Sequence, residues 1–134
     1  MRYLGIDFGE KRVGIALSDE DGKIAFPKKV LSNDGELLRN IIDECLQNNA
    51  EVIVMGESRD FHGQINEIMW KIQAFRKQLE VLGKQVIYEP EFLTSVQATK
   101  ITGENDMIDA SAAALILQSY LDRQNNLKNE RRQS

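Results

Sequence analysis

The sequence has few of the residues from which many catalytic and structural sites are built. Its 134 residues include one cysteine, one histidine, one tryptophan and two prolines. A single cysteine excludes an internal disulfide and any cysteine-rich zinc site. Cys45 lies beside Ile41, Ile42 and Leu46, so we interpret it as a small buried hydrophobic residue. His62 has no partner histidine, and we interpret it as a loop residue.

Long apolar runs and an excess of positive charge are also missing. The mostly apolar stretch from Ala110 to Leu121 contains serine and glutamine and is too short to span a bilayer. No signal-peptide pattern follows Met1, so we expect a cytoplasmic protein that does not contact membranes. The net charge of −4 argues against a non-specific nucleic-acid binder with a basic surface. An enzyme that gathers carboxylates around a metal remains compatible with this charge.

Apolar, β-prone segments occupy the first part of the chain. Arg2–Phe8 and Arg12–Ser18 are predicted strands joined by a turn at Gly9-Glu10-Lys11. Ile24–Val30 is a third and weaker strand, in which Pro27 is typical of a sheet edge or a bulge. Three strands joined by tight turns predict an antiparallel meander.

Helices and strands then alternate to the end of the chain. The predicted elements are a helix capped by Ser32-Asn33-Asp34, a strand over Glu51–Met55, a helix over Gln64–Leu82, a strand over Gln85–Tyr88, a short helix over Leu93–Lys100 and a helix from Asn105 to about Arg123. This order predicts an α/β fold with a mixed five-stranded sheet, a meander followed by parallel strands, flanked by helices. We expect one domain over 1–123 and a polar, frayed tail over 124–134.

Acidic residues fall at the predicted ends of several strands. Asp7 lies near the end of the first strand, and Glu57 and Glu91 follow the fourth and fifth. Asp106 and Asp109 share one face at the start of the last helix. The carboxyl ends of parallel strands meet at one sheet edge, where open α/β sheets bind ligands. Converging carboxylates of this kind suit Mg²⁺ or Mn²⁺, and two such ions can activate a water in phosphodiester hydrolysis.

Other residues near this edge allow two interpretations. Asp7 alone is typical of a turn cap, although Gly5 lets another element pack closely and Gly9 lets backbone or phosphate approach. Basic loop residues either contact phosphate or are simply solvated. The basic candidates are Lys11, Arg12, Lys28, Lys29 and Arg59.

Three separated segments of the chain resemble the YqgF/RuvX family. They are GIDFGEKRVGIALSD at 5–19, YEPEFLTS at 88–95 and IDASAAALILQSYLD at 108–122. The resemblance implies a ribonuclease H-like fold. Members are described as Holliday junction resolvases and as nucleases that process the 5′ end of pre-16S ribosomal RNA.

The resemblance also implies roles for particular residues. The first-strand aspartate of the family falls on Asp7, its motif glutamate on Glu91, and the aspartate that opens its last helix on Asp109. These three would hold the metal. The substrate-binding candidates that also match are Lys11, Arg12 and Thr94.

Three departures from the family pattern affect this interpretation. Phe92 replaces an arginine and Pro90 an aspartate on either side of Glu91. Glu57 stands within Gly-Glu-Ser where the family has Gly-Leu-Pro, and related RuvC-type resolvases place a catalytic glutamate there. The loop over 102–105 is short and lacks basic residues. Glu57 and Glu91 therefore both remain candidates to complete the site.

The main hypothesis is a Mg²⁺- or Mn²⁺-dependent nuclease acting on structured nucleic acid, either precursor ribosomal RNA or branched DNA, as a monomer or homodimer. A Holliday junction resolvase-like endonuclease is one alternative. A non-catalytic nucleic-acid or protein-binding relative is another, motivated by the missing basic residues. A phosphotransferase of the actin and sugar-kinase type is disfavoured, because it needs two Asp-x-Gly loops and a chain about twice as long.

Overall fold

The computed structural model describes residues 1–58, 67–91 and 106–133, and the side chains of 1–57, 67–90 and 110–129. The described elements are β1 Arg2–Phe8, β2 Arg12–Ser18, β3 Ala25–Ser32, α1 Leu37–Asn48, β4 Ala50–Ser58, α2 Glu67–Val81, β5 Gln85–Glu91 and α3 Asp106–Gln133. The short helix predicted over Leu93–Lys100 lies outside the described residues. None of the helices in these segments combines the length and the apolar character that crossing a membrane requires.

The strands form one mixed sheet in the order β3-β2-β1-β4-β5. β1 pairs with β2 and β2 with β3 in antiparallel fashion, whereas β4 runs parallel to both β1 and β5. The predicted meander and the predicted parallel strands are therefore confirmed. Pro27 lies on the edge strand β3 opposite Ala16, where the register shifts, so both features expected of this proline are present.

Two separate hydrophobic cores cover the two faces of the sheet. Side chains alternate between the faces along each strand, so Leu4 and Ile6 of β1 pack with α1 and α2. Val54 of β4 and Ala16 of β2 pack on the opposite face against α3. Buried Cys45 belongs to the first core, as predicted, and burial raises the pKa of its thiol.

Helix α3 packs closely against the sheet at Gly5. A Cβ atom at Gly5 would lie 2.8 Å from Cβ of Leu117 and 3.1 Å from the carbonyl oxygen of Ala113. Two residues earlier on β1, the rings of Tyr3 and Tyr120 are 5.7 Å apart between centroids. The helix therefore runs antiparallel to β1, and glycine is the residue that allows its backbone to come this near.

Both β4 and β5 are longer than predicted. β4 continues through Gly56 to Ser58, and β5 continues to Glu91, because the two strands pair over their whole shared length. The predicted ends were wrong because a glycine such as Gly56 is typical of a turn. Here it stays in the strand and pairs with β5. Glu57 and Glu91 consequently lie within strands and not after them.

The helix ends also differ from the predictions. Asp34 does not cap α1, which begins at Leu37 after Glu36; its carboxylate instead accepts a hydrogen bond from the Glu36 amide at 2.9 Å. Asn33 bonds to the β1–β2 turn and not to the helix. α3 does not end near Arg123 and stays helical to Gln133. Whether the segment 124–134 frays, and whether 1–123 behaves as one domain, stay predictions.

Replacing Gly5 with alanine tests the close approach of α3. We expect Gly5→Ala to destabilise the protein by about 1–3 kcal/mol, because the added methyl group overlaps Leu117. Chemical denaturation measures the change. Gly35→Ala is the matched control, since nothing lies within 4 Å of a Cβ there, and its effect should stay within about 0.5 kcal/mol. Equal effects at both positions would contradict the close packing.

The β2–β3 turn is held by the carboxylate of Asp19. This carboxylate accepts hydrogen bonds from the backbone amides of Lys23 at 2.8 Å and Ile24 at 3.1 Å. The bond from Ile24, followed by the bond from Lys23, lowers the pKa of Asp19. Gly22 completes the turn with a φ of 67°, in the region that favours glycine.

The lowered pKa of Asp19 predicts a pH-dependent contribution to stability. A folded-state pKa below the unfolded value stabilises the protein above the unfolded pKa, and this stabilisation disappears as the pH falls through the folded pKa. Asp19→Asn should therefore lower Tm at neutral pH and match the parent once the pH has fallen below the folded-state pKa of Asp19. Asp21→Asn removes the same charge from the same turn and serves as the control. A Tm difference that persists at the acid limit would refute this assignment.

Candidate active site

Asp7 is a buried carboxylate on the α3 face of the sheet. It is 2% exposed. Tyr3 and Gly5, four and two residues earlier on β1, both contact α3, and the alternation of the strand places Asp7 on the same face. An ionised carboxylate in such a position is costly unless hydrogen bonds or cations compensate it. Asp7 is therefore buried within the sheet, unlike an exposed aspartate that only caps a turn.

Glycines surround Asp7 on its own face of the sheet. Gly14 of β2 is its direct cross-strand partner. On the other side, Met55 of β4 pairs with Ile6, so Gly56 is next in that register. Together with Gly5 on β1 itself, these residues place backbone, and no side chains, beside the carboxylate. The sequence pattern did not single out Gly14 or Gly56, although glycine inside a strand often marks a close approach by a ligand or another backbone.

The first turn of α3 points toward the Asp7 end of β1. Tyr3 of β1 contacts Tyr120 of α3, and Gly5, two residues later, lies against Leu117 and Ala113. Two strand residues span about 6.6 Å, which equals about four helical residues. Continuing this register brings the beginning of α3, the element that starts at Asp106, alongside the end of β1.

Glu57 does not share a face with Asp7. Along β4, Ile53 and Met55 belong to the core beneath α1 and α2, and Glu57 continues that series. It is half-buried, and its Cα pairs with that of Pro90. On β5, by contrast, Ile87 packs in the α3 core and Glu89 bonds to α3.

Several predicted site residues lie partly or wholly outside the described part of the chain. Glu91 ends β5, with its Cα paired to that of Ser58, and Asp106 and Asp109 lie in the first turn of α3, but their side chains are outside the described set. Arg59 and Thr94 lie outside it altogether. Among the residues whose side chains are described, no three acidic, histidine or cysteine residues form a group that could hold a metal.

Among the basic candidates in the described part of the chain, strand alternation places Arg12 on the Asp7 face. Val13 and Ile15 of β2 face the opposite core, so Arg12 alternates onto the α3 side with Gly14. Lys11 is exposed in the adjacent turn. Lys29 instead forms an ion pair of 2.5 Å with buried Glu44 of α1, so it is not directed to this site.

The turn between β1 and β2 is held from two sides. Asn33 donates a side-chain hydrogen bond to the carbonyl of Gly9 at 2.7 Å and a backbone bond to the carbonyl of Lys11 at 2.9 Å. Glu10 forms an exposed ion pair of 3.6 Å with Lys71 of α2. These contacts fix the segment that joins Asp7 to Arg12.

A second buried acid on the same face is absent from the sequence predictions. Glu89 of β5 is 4% exposed and accepts a hydrogen bond of 2.8 Å from the hydroxyl of Ser119, and it pairs with Arg123. Its Cα pairs with that of Gly56. The prediction that β5 ends at Tyr88 concealed it. The alternation of Ile87, Glu89 and Glu91, together with the i,i+4 spacing of Ser119 and Arg123, was the available signal.

Known structures share the fold at low sequence identity. RuvC of Thermus thermophilus in complex with a Holliday junction substrate superposes with a TM-score of 0.58 at 16% identity, covering 92% of this chain and 96% of that chain. The Holliday junction resolvase of fowlpox virus gives a TM-score of 0.54 at 17% identity and coverages of 92% and 99%. The fold is therefore ribonuclease H-like, as the resemblance implied.

Relatives that are similar in sequence match this chain over nearly its whole length. A protein of Desulforudis audaxviator is 34% identical over 96% of this chain and 99% of its own length, and one of Caldanaerobacter subterraneus is 35% identical over 94% and 99%. Both are named provisionally as pre-16S rRNA nucleases. The sequence profile of RuvX, described as Holliday junction resolvase, matches residues 1–123. The chain belongs to the RuvX family of nucleases.

Proposed function

We propose that this chain is a divalent-metal-dependent nuclease whose site is built from Asp7, Glu91 and Asp109. The observation that carries the proposal is the position of Asp7, a buried carboxylate bordered by glycine backbone on the α3 face. Glu91 lies two residues after Glu89 on β5, and Asp109 lies in the first turn of α3, which the register directs toward the end of β1 that carries Asp7. Glu57 is on the opposite face, so we assign the third carboxylate to Glu91.

The donor set suits a hard cation. All three residues offer carboxylate oxygens, which Mg²⁺ and Mn²⁺ prefer, and neither histidine nor cysteine is part of the set. Asp106, one turn before Asp109, is a further ligand candidate. A cation held by these residues would supply Lewis-acid stabilisation of the phosphate and would lower the pKa of an attacking water.

The protein residues position the substrate around this site. Arg12 is half-buried on the same face, at the start of β2 beside the sheet edge where we expect a phosphate to enter, and its guanidinium suits a phosphate oxygen pair. Gly14 and Gly56, which flank Asp7 in the sheet, contribute no side chains of their own beside it. Lys11 extends the positive side of this edge into solvent.

For the substrate, the family relatives favour RNA. The relatives from Desulforudis audaxviator and Caldanaerobacter subterraneus are pre-16S rRNA nucleases by name, and we propose 5′-end processing of that precursor as the role of this chain. We expect such a role to be carried out in the cytoplasm. The resolvase description of the family favours a four-way DNA junction as the second candidate.

Substitution of the carboxylates tests the assignment of the site. We expect Asp7→Asn and Glu91→Gln each to lower the cleavage rate with Mg²⁺ or Mn²⁺ by at least about a hundredfold, since metal stabilisation of the transition state is worth several kcal/mol. Glu57→Gln is the matched control and should retain the rate within about threefold, because its face is remote from Asp7. Full activity of Asp7→Asn would contradict the assignment of this site. Loss of activity in Glu57→Gln alone would assign the third carboxylate to Glu57 instead of Glu91.

A cleavage panel separates the candidate substrates. Precursor 16S rRNA fragments and a synthetic four-way junction are incubated with the parent protein and with Asp7→Asn. Cleavage of the RNA that requires Asp7 supports the processing role. Paired incisions in the junction by a dimer support the resolvase role, because two strands must be cut by two sites. Binding of either substrate without any Asp7-dependent cleavage identifies a non-catalytic relative.

Arg12 provides a separate test of substrate binding. Arg12→Gln should raise KM several-fold with kcat nearly unchanged, because the lost contact is made to the substrate phosphate before and during reaction. The slope of log affinity against log salt should fall by about one unit. Lys28→Gln, which removes an exposed charge from the edge strand β3, is the control and should change neither quantity.

A further inference from the structure

A polar contact between β5 and α3 is not used by the proposed chemistry. The carboxylate of Glu89 is 4% exposed and bonds both to the hydroxyl of Ser119 and to the guanidinium of Arg123. Ser119 and Arg123 are four residues apart and therefore neighbours on one side of α3. The guanidinium of Arg123 also lies 6.0 Å from the ring centroid of Tyr120. Glu89 thus binds one side of the helix at two points.

This contact lies near the proposed active site. In the register of the sheet, Asp7, Gly56 and Glu89 occupy one row across three neighbouring strands. With strands about 4.8 Å apart, the backbones of Asp7 and Glu89 are about 10 Å apart. Glu89 also precedes Glu91 by two residues on the same strand.

A second polar contact fastens α3 at the other edge of the sheet. The side-chain oxygen of Gln118 accepts a hydrogen bond from the Ala25 amide at 2.8 Å, and its nitrogen donates to the carbonyl of Lys23 at 2.9 Å. Both partners belong to the start of β3 and the turn before it. This strand carries none of the proposed metal ligands.

We propose that Glu89 is a positioning residue for the metal site, because its bonds to Ser119 and Arg123 set the registry between β5, which carries Glu91, and α3, which carries Asp109. The inference rests on the proposed function. Apolar contacts hold the helix on the sheet but resist sliding along its axis only weakly, whereas directional hydrogen bonds define one registry. Residues that orient metal ligands typically change metal affinity by about 10- to 100-fold when they are removed.

The test must separate registry from charge and from stability. Glu89→Gln alone keeps the shape of the side chain but leaves the charge of Arg123 uncompensated, and this charge would itself repel a cation. The double variant Glu89→Leu/Arg123→Met removes both charges and keeps similar volume, a replacement that often leaves stability unchanged or raised. Gln118→Ala serves as the matched control, since it releases α3 from the strand that has no ligand.

Mn²⁺ binding by calorimetry is the primary measurement, with Tm and the kinetics of RNA cleavage beside it. We expect Glu89→Leu/Arg123→Met to weaken Mn²⁺ binding by at least about tenfold and to lower kcat comparably. The KM for RNA should stay within about twofold, because the substrate contacts on β2 are untouched. Gln118→Ala should bind Mn²⁺ like the parent protein even where its Tm is lower.

Two results would overturn the positioning role. One is parental Mn²⁺ affinity in the double variant when Glu89→Gln alone is impaired, which attributes the effect to charge. The other is equal loss of affinity in Gln118→Ala, which attributes it to general loosening of α3. Failure of the parent protein to bind Mn²⁺ would instead overturn the metal site itself and this inference with it, so the two failures are distinguishable.

Discussion

The approach of α3 to β1 at Gly5 is the contact on which the rest of the structure depends. The helix comes so near that a methyl group on this glycine would lie 2.8 Å from Cβ of Leu117. This packing closes the second core and buries the face that carries Asp7. It also sets how closely the helix lies against β1. A wider separation would open the second core and leave Asp7 hydrated.

Polar contacts at the margins of the sheet complement this central packing. Glu89 fastens one side of α3 to β5, and Gln118 fastens the other side to the start of β3. The helix is therefore held in the middle by shape and at both edges by directional hydrogen bonds. The metal site that we propose would need this combination, because small shifts between the elements would change the ligand distances directly.

Much of the fold follows from local patterns in the sequence. Alternating apolar residues and tight turns define the meander, and the helix–strand crossovers define the parallel strands, all of which the structure has. Asp7 was identifiable because a carboxylate within an apolar strand is costly to bury unless something compensates its charge. The extents of β4 and β5 were not identifiable, since only pairing with a neighbour carries a strand through Gly56. That error placed Glu57 at a strand end and hid Glu89. The pairing of Lys29 with Glu44 likewise depends on packing between distant segments.

The length and direction of α3 have a practical consequence for measuring distances on this protein. The helix has 28 residues and begins at the edge where Asp7 lies, so its far end is about 40 Å from its first turn. A fluorophore attached near the end of this helix would therefore stand well away from the site that we propose for cleavage. Energy transfer from a labelled substrate to that fluorophore would then report where along the molecule the scissile strand lies.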